Sequence, residues 1–332
     1  MRLLVTGGCG FIGSNFIRHV LREHAEDEVL NLDKLTYAGN PENLREVEGD
    51  PRYRFQRGDI CEEEDVVEAF AWEPEAVLNF AAETHVDRSI SSPEAFVRTD
   101  VLGTFRLLRA AQERGIRYVQ ISTDEVYGSI TEGSFHEDSP LRPNSPYAAS
   151  KAGADLLVRS YVKTYGLDAI IVRSSNNYGP YQYPEKVIPL FVTNLLEGRK
   201  VPLYGEGKNV RDWLFVEDNC RAIDLLLRHG ETGGIYNVGA GQEKSNLALT
   251  HAILEVMGMG EDRIQHVTDR PGHDLRYSVD CSRIRSLGWR PLTDFESGLR
   301  QTVRWYRENE DWWRPIKSGE FRRYYLERYG DI

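Results

Sequence analysis

The chain has 332 residues, 52 acids against 41 lysines and arginines, a formal net charge of -11, 40% hydrophobic residues and 28% charged ones. Ordinary globular composition of this kind excludes disorder, collagen-like repeats and a disulfide scaffold, and at roughly 150 residues per domain the length predicts about two packed units. The negative balance argues against a nucleic-acid polymer or an anionic membrane as partner, without excluding a small anion held by local arginines.

No apolar run reaches the ~20 residues that span a bilayer, and the start MRLLVTGG lacks a signal peptide's apolar region and cleavage site, so a cytoplasmic chain is expected. Cys9, Cys61, Cys220 and Cys281 lie far apart without C-x-x-C spacing, which predicts reduced thiols and neither a zinc site nor a disulfide framework.

The first predicted strand, Arg2 to Thr6, runs into TGGCGFIG, which sets Gly7, Gly8, Gly10 and Gly13 at the entrance of a helix over Phe11 to Glu23. Glycine there permits a tight turn and lets the backbone approach a pyrophosphate, whose charge meets the helix N-terminus. The second strand, Val29 to Asp33, ends twenty residues after Gly13 on a carboxylate that can accept hydrogen bonds from an adenosine ribose. That acid would repel a ribose phosphate, so NAD is favoured over NADP. The plainer alternative is that these glycines only turn a strand into a helix.

A third strand over Arg54 to Gln56 precedes Asp59 and Ile60, which could border an adenine, and then a helix over Glu62 to Phe70. The fourth, Ala76 to Phe80, leads into Ala81 and Ala82. Phe80, Ala81 and Ala82 stand at a carboxyl strand end, where small residues let a cofactor cross the sheet edge; each alone is more often core packing. VLNF and AIIVR are apolar on successive residues, as strands buried on both faces of a parallel sheet require.

A helical pattern over Pro93 to Arg114 leads to a fifth strand, Tyr118 to Ser122, which ends in ISTDEVYG. Thr123 can share a hydrogen bond with a reacting hydroxyl. Asp124 and Glu125, side by side in a closing site, can differ in protonation, one an acid and the other a base; for an isolated pair a solvated acidic turn is the alternative. A helix over Tyr147 to Tyr165 places Tyr147 and Lys151 on one face at i, i+4. The ammonium, with a positive nicotinamide, would favour phenolate and lower the tyrosine's pKa from about 10, fitting Tyr147 to take a hydroxyl proton. A helix-surface pair is the alternative, and the dinucleotide fingerprint in the same domain weighs against it.

The sixth strand, Ala169 to Arg173, completes an alternation that predicts an α/β fold, a Rossmann-type doubly wound parallel sheet with right-handed crossovers. Residues 1–175 are expected to form the NAD-binding unit, with a chain return near 213–240 through a strand at Ile235 to Val238. The turn-rich remainder, 176–332, is expected to be mainly a smaller substrate lobe. The tail from Trp305 to Tyr329 is expected to be a mixed-charge helix packing its aromatics on the body rather than a base-stacking surface.

Together TGGCGFIG, DKLTYAGN, NFAAETHVDRSI, STDEVYG, YAASK, RSSNNYGPYQ, RDWLFVEDN and DRPGHDLRY resemble the extended short-chain dehydrogenase/reductase family, from Met1 to about Trp313. AAETHVDRSI, STDEVYG and DRPGHD are the more specific of these. The resemblance implies a NAD-dependent lyase acting on a nucleotide sugar, dTDP-glucose: oxidation at carbon 4, loss of water across carbons 5 and 6, and hydride return to carbon 6, in deoxysugar synthesis. It gives Tyr147 the 4-hydroxyl proton, Glu125 the carbon-5 proton, and Asp124 the protonation of the departing 6-hydroxyl. It also implies a homodimer through the helices near Pro93 to Arg114 and Tyr147 to Tyr165.

By the same resemblance Phe11, Ile12, Asp33, Lys34, Leu35, Thr36, Asp59, Ile60, Thr99 and Asn177 fall at cofactor positions. Thr84, Asn176, Lys186, Arg211, Asn246, Arg270 and His273 fall along the nucleotide-sugar pocket; Thr84 departs from the more usual Ser but keeps the hydroxyl. The guanidinium forks of Arg211 and Arg270 suit a diphosphate, with surface ion pairs to Asp212 and Asp269 equally open. His85 and His273 have no second ligand at helical or turn spacing, so no metal is expected. A sibling acting on a UDP sugar, as dehydratase, epimerase or decarboxylase, is the nearest alternative, although an epimerase has no obvious use for Asp124 beside Glu125. A nonenzymatic NAD-binding redox sensor is more remote, since every catalytic position is filled.

Overall fold

Strand β1 (Arg2–Thr6) and helix α1 (Phe11–Glu23) stand where the sequence places them, in a computed structural model that describes residues 1–329. Positions 330–332, assigned above to the smaller lobe, lie outside the described residues. Strands β2 (Glu28–Asp33) and β3 (Tyr53–Arg57), helix α2 (Glu63–Ala71) and strand β4 (Ala76–Asn79) follow.

Where one helix is expected over 93–114, the chain instead makes α3 (Val86–Ser91), α4 (Pro93–Phe96), a π-helical stretch over Val97–Gly103 and α5 (Thr104–Arg114). The wide turn seats Asp100 inward with 1% of its surface exposed, accepting from Ser150 Oγ at 2.6 Å and from Glu83 N at 3.2 Å. It also presses Gly103 onto Ile60, so closely that a Cβ there would overlap Ile60 Cδ1. Such π turns cluster at functional sites.

After β5 (Arg117–Thr123), α6 (Pro146–Tyr165) and β6 (Ala169–Ser174) come β7 (Asn176–Tyr178), α7 (Val187–Leu196), β8 (Val201–Tyr204), β9 (Val210–Phe215) and α8 (Val216–His229). The chain ends through β10 (Ile235–Val238), β11 (Glu243–Ser245), α9 (Asn246–Met257), β12 (Ile264–Val267), α10 (Ser282–Ser286), α11 (Phe295–Glu308), α12 (Glu310–Ile316) and α13 (Glu320–Tyr329). The expected single tail helix is thus the end of α11 plus α12 and α13, broken at Asn309 and at Gly319, whose φ is 60°. Its aromatics do pack inward: Tyr306, Trp313 and Phe321 are buried.

Seven strands form one sheet in the order β10-β6-β5-β4-β1-β2-β3, all in parallel register, as at Leu4↔Leu30 and Leu4↔Val77. This is the doubly wound Rossmann architecture expected above. The return strand β10 pairs with β6 through Ile235↔Ile171. Helices α1 and α8 cover one face with Phe16, Ile17, Ile223 and Leu226, and α2, α5 and α6 cover the other with Val66, Leu107, Leu108 and Val158. Burial on both faces explains the unbroken apolar runs of β1, β4 and β6. A separate core around Phe191, Trp213, Ile253, Leu299 and Trp313 underlies two small sheets, β11-β9-β7 and β12-β8. Sequence order reverses between β1 and β4, and ligands of such sheets bind beyond the carboxyl ends of the strands at that point. No helix of the described residues is long and apolar enough to cross a membrane.

Candidate active site

Gly7 leaves β1 at a φ of 68° and passes so close to the segment after β4 that a Cβ would lie 2.6 Å from Ala81 N; one on Gly13 would lie 2.5 Å from Gly7 O. Only glycine fits either place. Helix α1 begins at Gly10 without a side-chain cap, so its first backbone N–H groups are available to an anion. Asp33, at the end of β2, accepts from Cys9 N and Leu35 N, both at 2.8 Å. Burial raises its pKa while these two donors draw it down. The bare glycine cradle, uncapped helix start and strand-end carboxylate together fit a dinucleotide with an unphosphorylated ribose.

A cavity of about 290 Å³ opens beyond these strand ends. Gly7, Gly10, Phe11, Ile12, Gly13, Asp33, Lys34, Thr36, Asp59, Ile60, Phe80, Ala81, Ala82, Thr99 and Asn177 line it, as do Thr84, Thr123, Asp124, Glu125, Tyr147, Lys151, Asn176 and Lys186. Lys34 is tied to Asp59 at 2.6 Å, and Lys186 donates to Thr84 O at 2.8 Å.

Five expected positions lie outside this wall. Leu35, at a φ of 58°, turns its side chain into the core instead. Asn246 opens α9, donating its backbone N–H to Asn209 O at 2.9 Å and accepting the Thr250 hydroxyl at 2.6 Å. Arg211 does not pair with Asp212: it donates to Val210 O at 2.7 Å and Asp274 O at 3.0 Å and stacks 4.1 Å over the Tyr277 ring. Arg270 pairs with Asp87 at 3.2 Å rather than through its side chain with Asp269. Asp269 takes the Arg270 backbone N–H at 2.8 Å and His273 Nδ1 at 2.6 Å. Both surface ion pairs left open by the sequence are therefore absent, because each guanidinium finds a partner remote in the chain. Among the described residues no group of His, Cys, Asp or Glu is arranged to hold a metal.

Strand β5 delivers Thr123, whose hydroxyl accepts from Glu125 N at 3.3 Å and donates to Asp124 Oδ1 at 3.3 Å. Asp124 is 2% exposed, and its Oδ2 has no partner among the described residues. Burial, and then the charge of Glu125, push the Asp124 carboxyl well above the usual range, which favours its protonated form. Tyr147 starts α6, which Ser145 caps by accepting from Ala148 N at 3.1 Å. Burial, then the charges of Glu125 and Asp100, raise the phenol's pKa well above 10, with the Thr123 hydroxyl pulling the other way. The spacing of Tyr147 and Lys151 reveals a neighbouring ammonium but not the loss of solvent, and Lys151 Nζ is directed at Ile121 O, 2.6 Å away.

Among the residues at the site that escaped the sequence reading are Tyr277 and Glu185. The Tyr277 hydroxyl lies 2.7 Å from Asp274 Oδ2 and 3.4 Å from Glu125 Oε2, bridging the DRPGHDLRY segment to the acidic turn. Glu185 lines the cavity and accepts from Tyr37 Oη at 2.8 Å and Arg88 Nε at 3.1 Å. Tyr277 stood inside a motif already singled out, and Glu185 stood next to Lys186; only their distant partners distinguish them.

A family model described as GDP-mannose 4,6 dehydratase matches residues 4–302. The chain is 54% identical over 324 residues to the dTDP-glucose 4,6-dehydratase of Streptomyces niveus, covering 96% of each. Among solved structures, the dTDP-glucose 4,6-dehydratase DesIV of Streptomyces venezuelae, with NAD and dTDP bound, matches with a TM-score of 0.93 at 54% identity, over 96% of this chain and 100% of that one. The UDP-glucose 4-epimerase of Thermus thermophilus, in complex with NAD, matches at 0.87 and 35%, over 93% and 100%.

Proposed function

The chain belongs to the epimerase/dehydratase branch of the extended short-chain dehydrogenase/reductase family, the group described by the GDP-mannose 4,6 dehydratase model, and we propose from that membership that it converts dTDP-glucose to dTDP-4-keto-6-deoxyglucose and water. The observation that carries this reading is the pair Asp124 and Glu125 lining the same cavity as Tyr147. Oxidation followed by simple reversal, as in an epimerase, needs the phenol alone; eliminating water needs an acid and a base besides.

A bound NAD would supply the hydride chemistry, acceptance from carbon 4 and return to carbon 6. Gly7, Gly10 and Gly13 would hold its pyrophosphate and Asp33 its ribose. Tyr147 would remove the proton of the 4-hydroxyl, its phenolate favoured by Lys151 and the positive charge of a bound nicotinamide against the burial that raises its pKa, with Thr123 sharing a hydrogen bond to the same oxygen. Once carbon 4 is a ketone, the proton on carbon 5 is acidic, and Glu125 would remove it. Asp124, protonated through burial, would give its proton to the leaving 6-hydroxyl, and reprotonation at carbon 5 would complete the product. Arg211 and Arg270 would meet the diphosphate.

Residues 1–175 with the return near 213–240 would carry the cofactor, the remainder closing over the sugar nucleotide. We place the protein in the cytoplasm, its four cysteines being free and buried. A homodimer is supported by apolar side chains left exposed along the π stretch, α5 and α6: Val97, Leu102, Phe105, Leu156 and Tyr165.

Purified protein incubated with dTDP-glucose should yield a product with the alkaline absorbance of a 4-keto sugar. Recovery of a 4-epimer, or faster turnover of UDP-glucose, would sink the assignment.

A further inference from the structure

Helix α3 carries Asp87 with 9% of its side chain exposed, where segments far apart in the chain converge. Arg270 Nη1 lies 3.2 Å from Oδ1. Tyr204, at the end of β8, donates its hydroxyl to Oδ2 at 3.0 Å. Arg328 of α13 approaches Oδ2 at 3.4 Å and donates through Nε to Tyr204 Oη at 2.9 Å. The Tyr204 and Tyr329 hydroxyls are 3.1 Å apart. A carboxylate so enclosed persists only with charged or hydrogen-bonded partners, and here it has three.

The Arg270 guanidinium offers five donors in a rigid fork. Asp87 engages it at Nη1, whereas Nε is buried and has no partner among the described residues. A buried N–H left unpaired is costly, and an acceptor brought to this edge would relieve that cost. Burial first, and then the Arg270 charge, disfavour the charged form of His273; burial also disfavours that of Lys186, with Arg270 adding to it against the opposing charges of Glu185 and Glu125, and Lys186 lines the cavity. The His273 ring meets Tyr204 edge-on, 5.9 Å away.

We propose that Asp87 is a positioning residue for the sugar nucleotide: its grip on Nη1 aims the Nε edge of Arg270 at the diphosphate, and through Tyr204 and Arg328 it makes helix α13 part of the same clamp. The proposal rests on Arg270 meeting the diphosphate. Its sign is distinctive, because an acid near a dianionic ligand that did no positioning would repel it, and neutralising that acid would then improve binding.

The test is steady-state kinetics of the NAD-loaded enzyme with dTDP-glucose for Asp87→Asn, Arg270→Gln, their double variant and Arg328→Gln, together with hydrogen exchange of α13. Asp87→Asn should raise KM about tenfold, the scale of one charge-assisted hydrogen bond, with kcat within about twofold, the pattern of lost uniform binding. The double variant should be no worse than Arg270→Gln, since both act through one guanidinium. Arg328→Gln should raise KM by a smaller factor, and α13 should exchange faster in Asp87→Asn. If Arg270→Gln raises KM and Asp87→Asn leaves it unchanged or lowers it, the clamp is wrong. If Arg270→Gln itself leaves KM unchanged, the diphosphate assignment fails, and the clamp with it. A loss of kcat with KM intact would reduce Asp87 to a structural role and overturn the proposal equally. Should Asp87→Asn fold poorly, Arg328→Gln decides, an unchanged KM counting against it.

Discussion

Asp124 and Glu125 are neighbours with opposite proposed tasks, and burial is what divides them. Asp124 Oδ2 is enclosed and has no partner among the described residues, and burial and the Glu125 charge raise its carboxyl's pKa, whereas Glu125 stands half-buried within reach of the Tyr277 hydroxyl. Asp124→Asn keeps the site neutral and its shape intact but has no proton to give. Its kcat should fall on the order of 10²–10⁴-fold, the usual worth of a general acid. In the unaltered enzyme kcat should decline as pH rises through the raised Asp124 pKa, and that limb should be missing from the variant's pH–rate profile. Glu125→Gln should stop the reaction after oxidation, seen as a build-up of reduced-nicotinamide absorbance during incubation with dTDP-glucose; full turnover in either variant would refute the assigned roles.

Asp100 gives a second residue-scale test. Burial lifts its pKa from 3.8 to about 6, so between those values the folded chain keeps a proton that the unfolded chain has lost. The associated stability is fully present below the unfolded pKa and is lost as pH rises to about 6. Asparagine has no such proton, yet its amide can accept from Glu83 N and donate to Ser150 Oγ. The thermal midpoint of Asp100→Asn relative to the unaltered protein should therefore climb as pH rises from about 4 to about 6 and level off beyond; a difference flat across that window would mean that Asp100 titrates normally. Neither this carboxyl nor the raised Tyr147 phenol could be read from composition or spacing. Each shift depends on how much water the fold removes, and Asp100 on partners 50 and 17 residues away.

At the scale of elements, β1 and α1 were legible to the residue because their periodicity and glycine punctuation are local, and β2 to β6 within a few residues for the same reason. The π stretch was not. Val97 to Gly103 continue an acceptable helical pattern, and only the inward demand of Asp100 and the contact of Gly103 with Ile60 widen the turn. That widening also sets which apolar side chains face outward. Val97, Leu102 and Phe105 are exposed, as are Leu156 and Tyr165 of α6, and exposed apolar side chains gathered on neighbouring elements are a common mark of an interaction face. If a second copy covers this face, Leu156→Glu should shift the mass measured by light scattering from dimer towards monomer while leaving the isolated fold's circular dichroism intact. A monomeric unaltered protein would remove the proposal.

For the molecule as a whole, the net charge of -11 spoke against polymeric anions, yet both ligands proposed here are anions. The resolution lies in range. Long-range repulsion is screened over about 10 Å in ordinary buffers, while an uncapped helix start and buried guanidiniums act at contact. The cofactor positions share one cavity with the substrate positions Thr84, Thr123, Asn176 and Lys186, so the sugar nucleotide would sit over the dinucleotide and shield it from solvent. Because the net reaction neither oxidises nor reduces the sugar nucleotide, nothing requires the cofactor to leave between turnovers. The purified protein should turn over dTDP-glucose without added NAD, and denaturing it should release roughly stoichiometric nicotinamide, as tight one-site retention demands. A preparation free of nicotinamide that needs excess NAD for every turnover would show instead that the cradle of Gly7, Gly10 and Gly13 binds it only in passing.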